Sequence, residues 1–122
     1  MNQMKILLVD DNEQIRKMLL RKFKKTDWDI IEAENGKIAV ELAIEHQPDL
    51  ILMDMHMPVM DGHEATRYLR KKGYEGKITA LTASVMHSDN QQALNDGCDY
   101  FIAKPISKNF LKTISEMLEK NR

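Results

Sequence analysis

The chain has 122 residues with 18 Lys plus Arg against 19 Asp plus Glu, a formal charge of -1. That balance gives no general pull toward nucleic acid or anionic membrane, so any charge-driven function must be local. The length suits one domain, residues 1–122, which buries roughly two-thirds of its unfolded surface around one core.

The N-terminal MNQMKILLVDD turns acidic too early for a secretory signal, and no apolar run approaches the ~20 residues of a membrane span. Cys98, the single cysteine, has no partner for a disulfide or a metal-binding cysteine motif, which suits a reducing compartment. The expectation is a cytoplasmic protein with no membrane insertion and no direct nucleic-acid binding, its cysteine a small buried hydrophobe.

In chain order, Lys5–Val9 is the first predicted strand. Ile15, Met18, Leu19 and Phe23 then recur at helical spacing, with Lys and Arg on the other side, and predict an amphipathic helix. Leu20 lies off that stripe and is expected to be exposed. Ile30–Ala33 is the second strand, followed by a helix around Ile38, Val40, Leu42 and Ala43 that opens at Asn35-Gly36 and closes before Pro48. Leu50–Met53 is the third strand, and the helix after it covers His63–Lys72 and stops at Gly73. Ile78–Leu81 precedes a helix near Ser88–Asp96, with Ser88 and Gln91 as an N-terminal capping pair and Gly97 as its stop. Tyr100–Ala103 is the last strand, and Lys108–Glu119 the clearest helix, with Ser107 as its cap.

The strands are short, rich in Ile, Leu and Val, and more continuous than alternating, as strands covered on both faces are. Five βα units with right-handed crossovers make a doubly wound parallel sheet, in either a flavodoxin-like or a half-Rossmann order. Ligands of such sheets sit beyond the carboxyl ends of the strands. The first strand ends in Asp10-Asp11, the third in Asp54, the fourth in Thr82 of LTAS and the fifth in Lys104-Pro105 of FIAKP. The second ends in Glu34, toward the sheet edge.

Singly, each has a plain structural role: Asp11 as an acid opening a helix, Asp54 in a loop, Thr82 as a strand residue, Lys104 as a surface amine. Together they converge on one crevice. Three crowded carboxylates repel unless a cation intervenes. Oxygen ligands without a His or Cys cluster favour Mg²⁺, with Mn²⁺ as a substitute. A lysine and a hydroxyl beside them suit a phosphoryl group. Neither GxGxxG nor GxxxxGK[ST] occurs, so the chain cradles no nucleotide and takes its phosphoryl group from outside. Met53, Met55, Met57 and Met60 are read as flexible packing rather than as a soft-metal site.

KILLVDD, MDMHMPVMDG, LTAS and FIAKP, in this order and spacing, resemble the receiver domain of two-component response regulators across essentially the whole chain. The resemblance implies a flavodoxin-like five-stranded parallel sheet in the order 2-1-3-4-5. It implies Asp54 as the phosphoacceptor, Asp10, Asp11 and Asp54 with the backbone carbonyl of His56 around Mg²⁺, and Thr82 and Lys104 on the phosphoryl oxygens. His56 and Ser84 would tune phosphate lifetime, or else be ordinary loop residues. Thr82 and Phe101 would form a switch that alters the face of the fourth helix, fifth strand and fifth helix, and Lys104–Pro105 would be a cis peptide.

The implied partners are a histidine kinase or phosphotransfer domain, met through Asn12, Gln14, Ile15 and Met18, and a downstream effector protein or domain, with phosphorylation-dependent dimerisation open to it. Both a stand-alone receiver and one fused to a hybrid histidine kinase suit the loop wording. Two other readings compete. A haloacid-dehalogenase-like phosphatase shares the residue kit but wants a second acid where His56 stands, and a non-phosphorylated protein-binding domain would have no use for three converging acids.

Overall fold

Lys5–Val9 forms β1, a central strand whose four apolar residues are fully buried because helices cover both faces of the sheet. The computed structural model describes residues 3–82 and 87–120, with the side chains of 87–89 outside the description. Elements alternate as α1 (Glu13–Phe23), β2 (Asp29–Ala33), α2 (Gly36–His46), β3 (Leu50–Asp54), α3 (Gly62–Lys71), β4 (Lys77–Thr82), α4 (His87–Asp96), β5 (Tyr100–Ala103) and α5 (Phe110–Glu119). The five strands are parallel in the order β2-β1-β3-β4-β5, which resolves the two sequence alternatives in favour of the flavodoxin-like arrangement.

The sheet separates two apolar layers. Leu7, Val9, Ile51, Met53, Ile78 and Ala80 point to α2, α3 and α4. Ile6, Leu8, Leu50, Leu52 and Leu81 point to Leu19 and Phe23 of α1 and to Phe110, Ile114 and Met117 of α5. Strands covered on both faces need apolar residues on both, which is why they read as continuous apolar runs. Met55, Met57 and Met60 fill the α2–α3 layer, so the methionines are packing residues. Leu20 is not exposed as expected; it is half-buried against the α1–α5 layer.

Helix ends follow local chemistry. Asn12, Asn35 and Asp61 cap α1, α2 and α3 by accepting from the amides of Ile15, Ile38 and Glu64 at 3.1, 2.9 and 2.9 Å. Gly73 and Gly97, at φ 91 and 115, follow α3 and α4 in the left-handed region that glycine tolerates. The predicted Ser107 cap is absent. Residues 107–109 make a turn in which the Phe110 amide donates to the Ser107 carbonyl at 3.3 Å, so α5 starts at Phe110 and its preceding Asn109 makes no side-chain cap. The proposed Ser88 cap lies outside the described side chains.

The α3–α4 seam is ionic where the α2–α3 layer is apolar. His63, Arg67 and Arg70 recur at i, i+4 and i+7 on α3. His63 and Arg67 both hold the buried carboxylate of Asp96, the latter at 2.8 Å, and Arg70 reaches the Gly97 carbonyl at 3.0 Å and Asp99 at 2.9 Å. Arg67 and Arg70 thereby bring positive charge to the carboxyl end of α4, the negative end of its dipole.

Gly62 ties α3 to the end of β3: a Cβ there would stand 2.2 Å from the Asp54 carbonyl oxygen. Gly62→Ala must therefore move backbone, and the expected loss is about 1–3 kcal/mol. A lower urea midpoint with unchanged slope is the measurement that checks it.

Candidate functional site

Asp54 and Thr82 were expected just beyond their strands, but pairing continues through both, Asp54 opposite Leu81 and Thr82 opposite Ala103. Each is therefore held by sheet hydrogen bonding, and each is buried, at 4% and 2% exposure. Beside them, Asp10 follows β1, its amide donating to the Ala33 carbonyl at 3.2 Å. Parallel strands lie about 4.8 Å apart, so neighbouring strand ends deliver their side chains to one place. Carboxylate oxygens of Asp10, Asp11 and Asp54 all lie within 4.8 Å of one another, with Asp10 and Asp54 buried and Asp11 exposed.

Each buried acid is engaged. Asp10 Oδ1 accepts from the Asn12 amide at 2.9 Å and Oδ2 from Lys104 Nζ at 3.0 Å. Asp54 Oδ1 accepts from the His56 amide at 3.1 Å, and its Oδ2 lies 3.7 Å from Lys104 Nζ. Lys104 is thus an internal counter-ion between two acids and no surface amine. Its amide donates to the Thr82 carbonyl at 2.7 Å, and the Lys104–Pro105 bond that follows is cis.

Burial is the largest influence on Asp54 and raises its pKa from 3.8 to about 6. The His56 amide opposes this, Asp10 adds to it by repulsion, and Lys104 offsets part of that repulsion.

Of the remaining expected residues, His56 is exposed beside Asp54, its ring 5.9 Å from that of His63. Ser84 lies outside the described residues. Phe101 is 43% exposed and pairs with Ala80, whose side chain faces the α2–α4 layer. Strand side chains alternate, so Phe101 and Thr82 share that face. Tyr100 packs on the opposite layer, against α5. Two features escaped the sequence reading. Arg16 donates to the Asp10 carbonyl at 2.7 Å and pairs with Glu32 at 3.3 Å. Val59, at φ 74 and 79% exposed, is a β-branched residue in the left-handed region within the loop after Asp54, a conformation costing about 1–2 kcal/mol. Neither a long-range arginine contact nor a left-handed valine has a local sequence signal.

The model of the response regulator receiver domain matches residues 6–116, and the chain belongs to that family. It is a signalling domain of two-component systems. The polar-differentiation response regulator DivK of Brucella anthropi is 36% identical over 93% of this chain and 94% of its own length. The hybrid signal transduction histidine kinase A of Dictyostelium discoideum is 42% identical over 95% of this chain, which spans only 6% of that kinase. Among solved structures, the receiver domain of the Pseudomonas aeruginosa sensor histidine kinase PA1611, with magnesium in its active site cleft, is 30% identical with a TM-score of 0.86 over 96% of this chain and 98% of that one. The Vibrio cholerae chemotaxis protein CheY4 is 25% identical with a TM-score of 0.87, over 96% of this chain and 99% of that one.

A carboxyl whose folded pKa lies above its unfolded value weakens the fold once ionised. For Asp54 the penalty is full above about pH 6, and it vanishes below the unfolded value of 3.8. In metal-free buffer, Asp54→Asn is expected to be more stable than the parent at pH 8 by on the order of 2 kcal/mol. Urea titrations from pH 8 to pH 4 should show that advantage shrinking as pH falls.

Proposed function

We propose that Asp54 accepts a phosphoryl group from a phosphohistidine of a histidine kinase or phosphotransfer domain, and that residues 1–122 work as one receiver in the cytoplasm. The observation that carries the reading is a buried carboxylate with a raised pKa, held by a rigid sheet at one crevice with two further acids and a lysine. An Asp54 carboxylate oxygen attacks phosphorus as the bond from phosphorus to the donor imidazole nitrogen breaks. The electron pair of that bond stays on the imidazole, and Asp54 becomes an acyl phosphate. Sheet pairing fixes the carboxylate for in-line approach.

The donor set suits a hard divalent ion: three carboxylates that otherwise repel one another, with no sulfur or imidazole in the cluster. Asp10, Asp11, Asp54 and the His56 carbonyl would hold Mg²⁺, or Mn²⁺ in its place. When bound, the ion supplies positive charge for the phosphoryl oxygens. Lys104 would turn from Asp10 toward a phosphoryl oxygen, and the Thr82 hydroxyl would donate to another.

Thr82 and Phe101, on one face of adjacent strands, would then act as a switch, Thr82 moving toward the phosphoryl group and Phe101 inward. The surface of α4, β5 and α5, where Leu94 and Phe101 are 42% and 43% exposed, would thereby change for an effector or a second copy. His56 and Ser84 would govern water access to the acyl phosphate. The donor would meet Asn12, Gln14, Ile15 and Met18. Ile15 and Met18, with Lys104, Pro105 and Ile106, line an apolar groove of about 420 Å³.

The test is intact mass after incubation with acetyl phosphate and Mg²⁺. One phosphoryl increment is expected in the parent, none in Asp54→Asn and none without a divalent ion; labelling that persists in Asp54→Asn refutes the assignment. Millimolar Mg²⁺ is also expected to raise the Tm of the parent, by preferential binding to the folded state, and to leave that of Asp11→Ala almost unmoved.

A further inference from the structure

One imidazole beside the crevice makes no metal site, but the fold brings a second one to it. His56, in the loop after β3, and His63, the second residue of α3, have ring centres 5.9 Å apart in an edge contact at 66°. His56 is exposed and free to turn, whereas His63 is half-buried.

The His63 ring is set by what lies behind it. Its Nδ1 is hydrogen-bonded to Oδ2 of the buried Asp96. The other oxygen of that carboxylate accepts from Arg67 at 2.8 Å and from Gln92 at 3.3 Å. An ionised carboxylate only accepts, so Nδ1 carries the hydrogen and donates. Arg67 already supplies the charge that Asp96 needs, and the imidazole serves it as a hydrogen-bond donor. In the neutral ring this tautomer puts the lone pair on Nε2, at the opposite edge. Among the described residues, neither Nε2 of His63 nor either ring nitrogen of His56 makes a hydrogen bond. A carboxylate behind an imidazole whose far nitrogen is open is the outer half of a metal site, because it fixes the tautomer, aims the ring and raises the basicity of the ligand atom.

We infer that His56 and His63 together bind one divalent ion of imidazole preference, Zn²⁺ or Cu²⁺, through a ring nitrogen of each, with water completing its shell. Zn–N bonds of about 2.0–2.1 Å on a tetrahedral ion put two ring centres about 5 Å apart. Rotation of the exposed His56 side chain closes the difference from the observed 5.9 Å. The site is chemically separate from Asp10, Asp11 and Asp54, which offer oxygen alone and suit a harder ion. It is nevertheless coupled to them through one residue. The His56 amide donates to Asp54 Oδ1 at 3.1 Å, so an ion on the His56 ring restrains the backbone that steadies Asp54.

The probe is Zn²⁺ alone, titrated calorimetrically into the full chain in excess Mg²⁺, which keeps the acids occupied. One equivalent is expected to bind, with the same affinity in Asp11→Ala. His56→Gln and His63→Gln should each weaken it at least ~10-fold, and His46→Gln should leave it unchanged. A second measurement needs only the parent and so stands if a histidine variant fails to fold. Substoichiometric Cu²⁺ should broaden the ring resonances of His56 and His63 before those of His46. Zn²⁺ that Mg²⁺ displaces, or that Asp11→Ala no longer binds, belongs to the acids and overturns the inference. Binding that both histidine variants retain overturns it too, as does broadening that reaches His46 equally or first. None of these readouts uses phosphorylation, so the fate of this site is decided apart from that of Asp54 as phosphoacceptor.

Discussion

Lys104 stands between two buried carboxylates, 3.0 Å from Asp10 and 3.7 Å from Asp54, and the crevice depends on that arrangement. Without it the strand ends would present acids to one another with no internal cation among the described residues. With it, one acid keeps a close partner while the other stays only loosely compensated and hard to ionise. The amine that stabilises the resting site is thus already in place to meet a new anion there. On the proposed reading, one positive charge would serve both the empty and the phosphorylated crevice by changing partners.

The scaffold makes such economy workable. β1, β3 and β4 are covered by helices on both faces, so their ends are rigid and their spacing is set by the hydrogen-bond ladder. Two close backbone approaches complete the frame. Gly62 lies against the end of β3, and Gly36 against the Met60 carbonyl, where a Cβ would come within 2.3 Å. The loop after Asp54 is pinned at both sides by residues that have no side chain to interpose. At the far end of the sheet, the buried Lys77 ammonium donates to the carbonyls of Met117 and Leu118, closing the last turn of α5. Amines therefore sit at both ends of the sheet, the half-buried Lys104 held by carboxylates and the buried Lys77 by a helix terminus.

Much of this was legible in the sequence because it is encoded locally. Continuous apolar runs mark doubly covered strands, and Gly73 and Gly97 mark helix ends by their own conformational chemistry. The acids at strand ends became a cluster once parallel topology was inferred, since topology alone brings them together. The misreadings share a cause. Asp54 and Thr82 were set outside their strands because polar character suggests a strand's end, whereas ladder hydrogen bonding ignores side-chain polarity. Ser107 offered a cap by type, but a backbone turn took its place. Leu20 looked exposed from the helical stripe, which does not reveal that a neighbouring element partly covers it. Arg16 against Asp10, and the α3 side chains on Asp96, depend on groups meeting across the fold, which no local pattern announces.

Cys98 has a consequence of a different kind. It is 6% exposed, and burial pushes its thiol up to about 12, so at neutral pH almost none of it is thiolate, the form that reacts with electrophiles. Among the chain's 122 residues it is the sole cysteine. The native thiol is therefore expected to react slowly with maleimides and methanethiosulfonates without any cysteine having been removed. A second cysteine at an exposed position such as Leu94 would carry a fluorophore or spin label by itself, leaving the packing around Thr66 and Cys98 as nature made it.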